Sequence, residues 1–575
     1  MRTITRRTPF SSTVQVPGAR AAIERIAPSI FGAPVLQNLS DFPTGPLLGI
    51  ILGSEDPRIP EIMDAITGFE DVTEVPPAAA PVFPSNDYEA PHVARGSATV
   101  TQETSIAPGA VELVFAGPSH GNPFLDVELS ADFHHDDETV TVGGFYDGGG
   151  SYRVRFLPNT AGQWSYTTRS NARSLDGITG SVTAEADGSH GPVHAVGQRF
   201  EYADGTAFTP LGTTAYVWTL QEEHLQEQTL TSFASAPFNK VRMGLFPKDF
   251  MHNSNEPERY PFERTETGWD PERFDAAYFA KLEKRIAQLA GLGIEADVIL
   301  FHPYDRWGFS KMGETVDHRY ARYVVRRLAA FHNIWWSLAN EYDLLTTKSD
   351  DDWNRIGELV QAEDHVGHLL SIHNWVDIFD YSADWATHTS IQGGGFRMGE
   401  LTARWRGTWG KPVVVDEFGY EGDLDQGWGN LTAEEVVRRF WDGTIAGGYL
   451  THGETFYSED DVIFWSKGGE LRGESLPRLR FLRDLVAASP TGYIEPLTGD
   501  WDAPWAGIAG EYILISFGGS RPLFRHVPIP DGMTAKIEVI DAWNMTIDEI
   551  PGEHTGLVRV PLPARPHTLI RLTRV

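Results

Sequence analysis

The chain has 575 residues, 41% hydrophobic and 22% charged, enough for several packed domains. A formal net charge of −32 sets it against phosphate backbones and anionic lipid, and so against nucleic-acid and membrane partners. It contains no cysteine, which excludes disulfides, thiolate metal sites and cysteine nucleophiles.

Residues 1–92 read as a mixed extension. Short helical patterns (Ala21–Ile26, Pro60–Ile66) alternate with proline-rich breaks, and VPPAAAPVFPS at 75–85 reads as an extended linker. The basic start, MRTITRR, has no apolar segment after it, and no run approaches the roughly 20 apolar residues of a spanning helix. The expectation is a cytoplasmic protein. The role of the extension stays open between self-association and packing against the domains that follow.

Residues 93–195 change to period two. VELVF, DVELSADF, TVTVGGFY, YRVRF and WSYTT are short alternating segments broken by Gly, Pro and Asn, the pattern of an antiparallel β-sandwich. His134, His135, Asp136 and Asp137 form a polar run between two of these segments, read as a hairpin tip rather than a metal cluster.

From 196 to 490 apolar strand-like runs alternate with helical ones. FTPLGTTAYVW, NKVRMGLF, GIEADVILFH, NIWWSLANE, HLLSIHNW, THTSIQ, PVVVDEFGY and GYLTHGETF predict eight strands. Helical patterns such as DAAYFAKLEKRIAQLAGLG lie between them, and Thr432 with Glu435 three residues on predicts a capping box. Eight β–α units in this length predict a (β/α)8 TIM barrel, of α/β class. Residues 491–575 return to strands, a C-terminal β-sandwich domain.

Barrel enzymes work at the C-terminal ends of their strands. The fourth strand ends in Asn340-Glu341 and the seventh in Asp416-Glu417. A lone strand-end glutamate is most often a salt-bridge partner or helix cap. Two of them, on strands facing one mouth, suit glycoside hydrolysis, where one carboxyl protonates the leaving oxygen and the other attacks carbon or activates water. Strand alternation turns Asp416 away from the mouth as a buried structural acid.

At these residues the sequence resembles clan A of the glycoside hydrolases, the cellulase-like superfamily. WWSLANEYD, FHPYDRWGFS, SIHNW, KPVVVDEFGYEGD, GYLTHGETFY, FWSKGGELRGES and the sandwich segment GFYDGGGSYRVRFLPNTAGQWSY resemble a bacterial glycosidase family that joins an N-terminal sandwich, a barrel and a small C-terminal β-domain. The resemblance covers roughly residues 100–575. It implies a retaining double displacement, with Glu341 as acid/base, Glu417 as nucleophile and Asn340 on the sugar 2-hydroxyl. It implies that Arg242 pairs with Glu417 and that His388 on the sixth strand is a second partner of Glu417.

Other strand-end polar groups are candidates for the substrate-binding floor: His302 and Asp305 beside Tyr304, His373, Asn374, Gln392, His452 and Glu454. Glu454 is open between binding a sugar hydroxyl pair and pairing with Arg242. Trp375 and Trp465 are the expected sugar-stacking faces. No cofactor and no metal is expected. The expected substrate is a small imported oligosaccharide or glycoside, cut by exo action. The alternatives are a transglycosidase using the same site and a non-catalytic carbohydrate-binding barrel.

Overall fold

The computed structural model describes residues 3–53, 56–73, 85, 88–102, 106, 108–185 and 188–575. All but the last residue of the expected linker at 75–85 lies outside the described residues.

Eight parallel strands form the central sheet: β1 Leu211–Thr214, β2 Lys240–Gly244, β3 Glu295–Phe301, β4 Ile334–Ala339, β5 Leu369–Ser371, β6 Thr389–Gln392, β7 Val413–Glu417 and β8 Gly448–His452. Each pairs with its neighbours in sequence, and β8 closes onto β1 through Leu211 opposite Leu450. The β5–β6 seam is held by a single bridge, His373 with Ser390. β3 and β4 are buried along their whole length, as expected of runs such as IWWSLA covered on both faces.

Seven helices surround the sheet: α1 Glu223–Ser235, α2 Ala276–Gly291, α3 Glu314–Leu328, α4 Asp350–Glu363, α5 Met398–Trp409, α6 Ala433–Ile445 and α7 Ser475–Ala487. The fifth unit departs from the expected count, since no helix stands between β5 and β6. Asp275 caps α2 by accepting from the amides of Ala277 and Tyr278. At α6 Thr432 accepts from the Glu435 amide, but the return half of the box is missing because the Glu435 carboxylate pairs with Arg438 and Arg439.

The barrel floor is plugged by a three-stranded sheet, Val193–Val196, Arg199–Tyr202 and Ala207–Phe208, whose Val193, Phe200 and Phe208 pack on Trp335, Leu369 and Val414. Two four-stranded antiparallel sheets between 98 and 184 enclose the core of the N-terminal sandwich, centred on Phe133, Phe156 and Trp164. Arg155 joins the sandwich to the barrel, bonding Glu112 at 2.7 Å, Glu283 of α2 at 2.9 Å and the carbonyl of Arg327 at 2.8 Å. The His134–Asp137 run is a hairpin turn, with His134 on Thr139 and His135 on the Gln163 carbonyl. Residues 495–574 form the C-terminal domain, a six-stranded sheet and a two-stranded one around their own core.

The N-terminal unit has a separate helical core (Ile4, Phe10, Ile23, Leu47, Ile62, Ile66) and sits on the barrel beside β4 and β5. Arg7 lies over the Tyr342 ring at 4.9 Å, pairs with Asp350, and donates to the Lys348 carbonyl at 3.2 Å. Phe42 meets Trp375 edge-on at 5.2 Å. Among the described residues no helix is long and apolar enough to cross a membrane.

Candidate active site

The axis of the barrel is ionic. Lys240 on β2 bonds Asp297 at 2.6 Å and Asp416 at 2.8 Å, and Arg242 pairs with Asp416 at 3.1 Å. Ser390 and Thr451 each donate to Asp416 at 2.6 Å. Burial pushes Asp416 up, but Lys240 and Arg242 overcome that and hold its carboxyl well below the usual range. Asp416 is a buried structural acid as expected, yet it points into the barrel, not away from it.

The cause is a bulge. Opposite β6, Ile391 pairs with Val415 and Gln392 with Glu417, so Asp416 is an extra residue in the ladder. Both acids of the Asp-Glu pair therefore face the interior, Asp416 on the axis and Glu417 at the rim.

Glu341 follows β4 with a left-handed backbone, φ 49°, a conformation that a non-glycine residue holds only at a cost of roughly 1–2 kcal/mol. Its carboxylate accepts the Tyr304 hydroxyl, and the Glu417 carboxylate accepts the Tyr216 hydroxyl. The Gln392 amide, oriented so that its nitrogen faces the two acids, donates to Glu341 Oε1 at 3.0 Å and to Glu417 Oε2 at 3.3 Å. Asn374 fixes Gln392 by bonding its main chain at both ends, at 3.1 and 3.3 Å. Glu341 is 4% exposed and Glu417 9%, so both acids are buried. Burial, with the charge of Glu417 adding to it, pushes Glu341 up to about 8, whereas the Tyr304 bond and Lys248 pull the other way.

Asn340 Oδ1 accepts from Arg242 at 2.8 Å and lies 3.0 Å from the Tyr216 hydroxyl oxygen, which fixes the amide and leaves its N–H donors for a ligand. Lys248, just after β2, lies 3.7 Å from the Tyr216 ring centre, 4.3 Å from Trp465 and 4.5 Å from Tyr304. Burial brings its ammonium down to about 8, although Glu417 and Glu341 favour the charge. Trp465, itself against Tyr216, Tyr420 and Trp428, is part of this aromatic wall.

Several sequence expectations are moved by the structure. Arg242 binds Asp416 and Asn340, not Glu417. His388 opens β6 instead of closing it, so it lies at the floor against Phe200 and Trp335; His373 is the imidazole that faces the acids, with Nε2 3.9 Å from Glu417 Oε1. Burial keeps His373 well below its ordinary value, hence neutral. Asp305 is occupied by the amides of Trp307, Gly308 and Ser310, and His302 bonds the Phe246 carbonyl at 3.1 Å, so both shape loops. Trp375 faces the N-terminal unit.

His452 and Glu454 lie outside the barrel. Thr451 points inward to Asp416, so alternation turns His452 outward onto Phe238, 4.9 Å between ring centres. Glu454 accepts from the amides of Arg472 and Gly473 and contacts neither Arg242 nor the mouth. Sequence reading missed Tyr216, Lys248 and the bridging role of Gln392. A tyrosine and a lysine just past the ends of β1 and β2 carried no signature beyond their position.

The apiosidase-like catalytic domain family matches residues 195–483. The chain belongs to this family of glycoside hydrolases. Residues 109–171 and 501–573 match two families described as domains of unknown function, DUF5060 and DUF5605. A protein of Bacteroides vulgatus ATCC 8482 classed as a glycoside hydrolase is 40% identical to this apiosidase-like chain. That match covers 81% of this chain and 98% of the other, with a TM-score of 0.77. A family 5 glycoside hydrolase of the same organism shares the fold at 16% identity, covering 67% and 93% with a TM-score of 0.52. No curated protein matches the chain.

Proposed function

We propose that this apiosidase-like hydrolase removes a compact terminal sugar with retention of anomeric configuration, Glu417 acting as nucleophile and Glu341 as acid/base. One observation carries the reading: a single amide nitrogen reaches both carboxylates, at 3.0 and 3.3 Å. The sum of those distances bounds the gap between the two oxygens and falls short of the ~6.5 Å at which inverting pairs begin. That bound lies on the retaining side of the boundary and favours direct attack by one acid over attack by a water held between them.

The roles follow from surroundings. Glu341, pushed up to about 8, keeps a proton at neutral pH to give to the leaving oxygen. Glu417 accepts the Tyr216 hydroxyl and the Gln392 amide, which hold its carboxylate at the rim facing Glu341. After the glycosyl–Glu417 ester forms, the Glu341 carboxylate takes a proton from the incoming water, whose oxygen then displaces Glu417. Asn340 holds the 2-hydroxyl as charge develops. The near-complete burial of both acids supports exo action on a small unit, and the family's name points to apiose, a branched five-carbon sugar.

The test is a set of aryl glycosides that includes apiofuranosides, with proton NMR of the first-formed anomer. Retention is expected, with product of the substrate's own configuration before mutarotation. First-formed product of the opposite configuration would end the double-displacement reading.

A further inference from the structure

Glu421, His452 and Glu454 meet on the outer side of β7 and β8, against the N-terminus of α7, away from the mouth. All three are buried, at 2%, 1% and 1% exposure. One ligand-type atom from each lies within 4.8 Å of the others. His452 Nε2 is 3.9 Å from Glu421 Oε2 and 3.9 Å from Glu454 Oε1, and no hydrogen bond reaches it. At that span a proton on Nε2 bonds neither oxygen, because N–H···O bonds close at about 2.7–3.2 Å. An unpartnered buried imidazole nitrogen therefore aims between two carboxylates.

We propose that Glu421, His452 and Glu454 form a binding site for one divalent transition-metal ion of the zinc or manganese type. With two sides of 3.9 Å and a third of at most 4.8 Å, a point equidistant from the three atoms lies at most about 2.5 Å from each, so side-chain shifts of a few tenths of an ångström reach zinc's roughly 2.0–2.2 Å. An imidazole with two carboxylates suits such an ion better than calcium or magnesium, which take oxygen ligands.

The surroundings are those that metal sites require. The other ring nitrogen, His452 Nδ1, is 3.2 Å from Thr213 Oγ1, which fixes the ring. The carboxylates are held by backbone amides: Arg472 and Gly473 donate to Glu454, Glu474 and Ser475 to Glu421. Each bond uses one lone pair of an oxygen, and a carboxylate oxygen carries a second that an ion can take. Gly473 covers the site so closely that a Cβ there would stand 2.5 Å from Glu454 Oε1 and 2.6 Å from Glu421 Oε2. The ion would tie the segments after β7 and β8 to the start of α7, closing the loop that carries Trp465 into the aromatic wall.

The proposal stands apart from the glycosidase reading, and its test uses no substrate. Tag-free full-length protein is stripped with EDTA, titrated separately with Zn2+ and Mn2+, desalted and assayed for bound metal, with Tm recorded in parallel. One equivalent per chain is expected from at least one ion, with a Tm several degrees above the stripped form. The Co2+-loaded protein should show visible d–d absorption that His452→Gln lacks. No retained ion, or the same retention and absorption in His452→Gln, overturns the site. If His452→Gln does not fold, the wild-type titration decides alone: uptake without a one-equivalent end point, or without a Tm rise, overturns it.

Discussion

Arg242 directs its guanidinium to Asp416, 3.1 Å away, one residue before Glu417 in the chain. The ionic core of the barrel and its reacting rim are thus neighbours in sequence with separate partners. Asp297 and Asp416 balance Lys240 and Arg242. Asp416→Asn leaves that core one negative charge short, in a place shielded from solvent. We expect a loss of about 3–5 kcal/mol in urea unfolding, the usual cost of a broken buried pair. A loss below about 1 kcal/mol would show that the network is dispensable.

Glu341 also makes a stability prediction. Its folded-state value, about 8, lies above its ordinary 4.5, so between those pH values the folded chain keeps a proton the unfolded chain has lost. Stability then falls as pH rises through the window, by up to about 1.4 kcal/mol per unit. Glu341→Gln removes that dependence. Its Tm advantage over the wild type should widen from pH 5 to pH 8, while activity on poor leaving groups falls by about 10²–10⁴. A constant Tm difference across that range would deny the raised value.

The alkaline limb of kcat/KM should belong to Glu341 and respond to its neighbours. The Tyr304 hydroxyl bonds the carboxylate and Lys248 places a positive charge near it, and both favour ionisation. Tyr304→Phe and Lys248→Met should each move the limb to higher pH. A limb that moves down, or stays fixed in both, is not the titration of Glu341.

Gln392 and Asn374 should behave as one device, since Asn374 clamps the main chain of the residue that bridges the acids. Gln392→Ala should lower kcat by about tenfold to a hundredfold with little change in Tm. Adding Asn374→Ala should cost much less than it does alone, the non-additivity of residues acting through one contact. Full additivity in kcat would separate them.

The barrel and its two β-rich flanks were legible because period and length speak plainly there: IWWSLA and EADVILF are too apolar for exposed strands, and DAAYFAKLEKRIAQLAG repeats at helical spacing. Asn340, Glu341 and Glu417 were legible because strand ends aim at the mouth. Three of the errors concern strand geometry. The resemblance placed His388 against Glu417, whereas His388 lies just before its strand, and counting from a strand end misplaced His452, whose parity points outward. The bulge at Asp416 broke the alternation on which its direction rested. Tyr216 and Lys248 depend on how loops fold back over the rim, which no local period encodes.

The grip of Arg7 on Tyr342 bears on the order in which the parts are expected to assemble. The two are 335 positions apart, so the contact waits until the fourth strand and its loop exist. The N-terminal unit has its own apolar core and can form early, but its seat beside Glu341 is created late. During refolding, tryptophan burial in the barrel should come first, and the residue next to the acid should settle last, when the oldest part of the chain comes back to meet it.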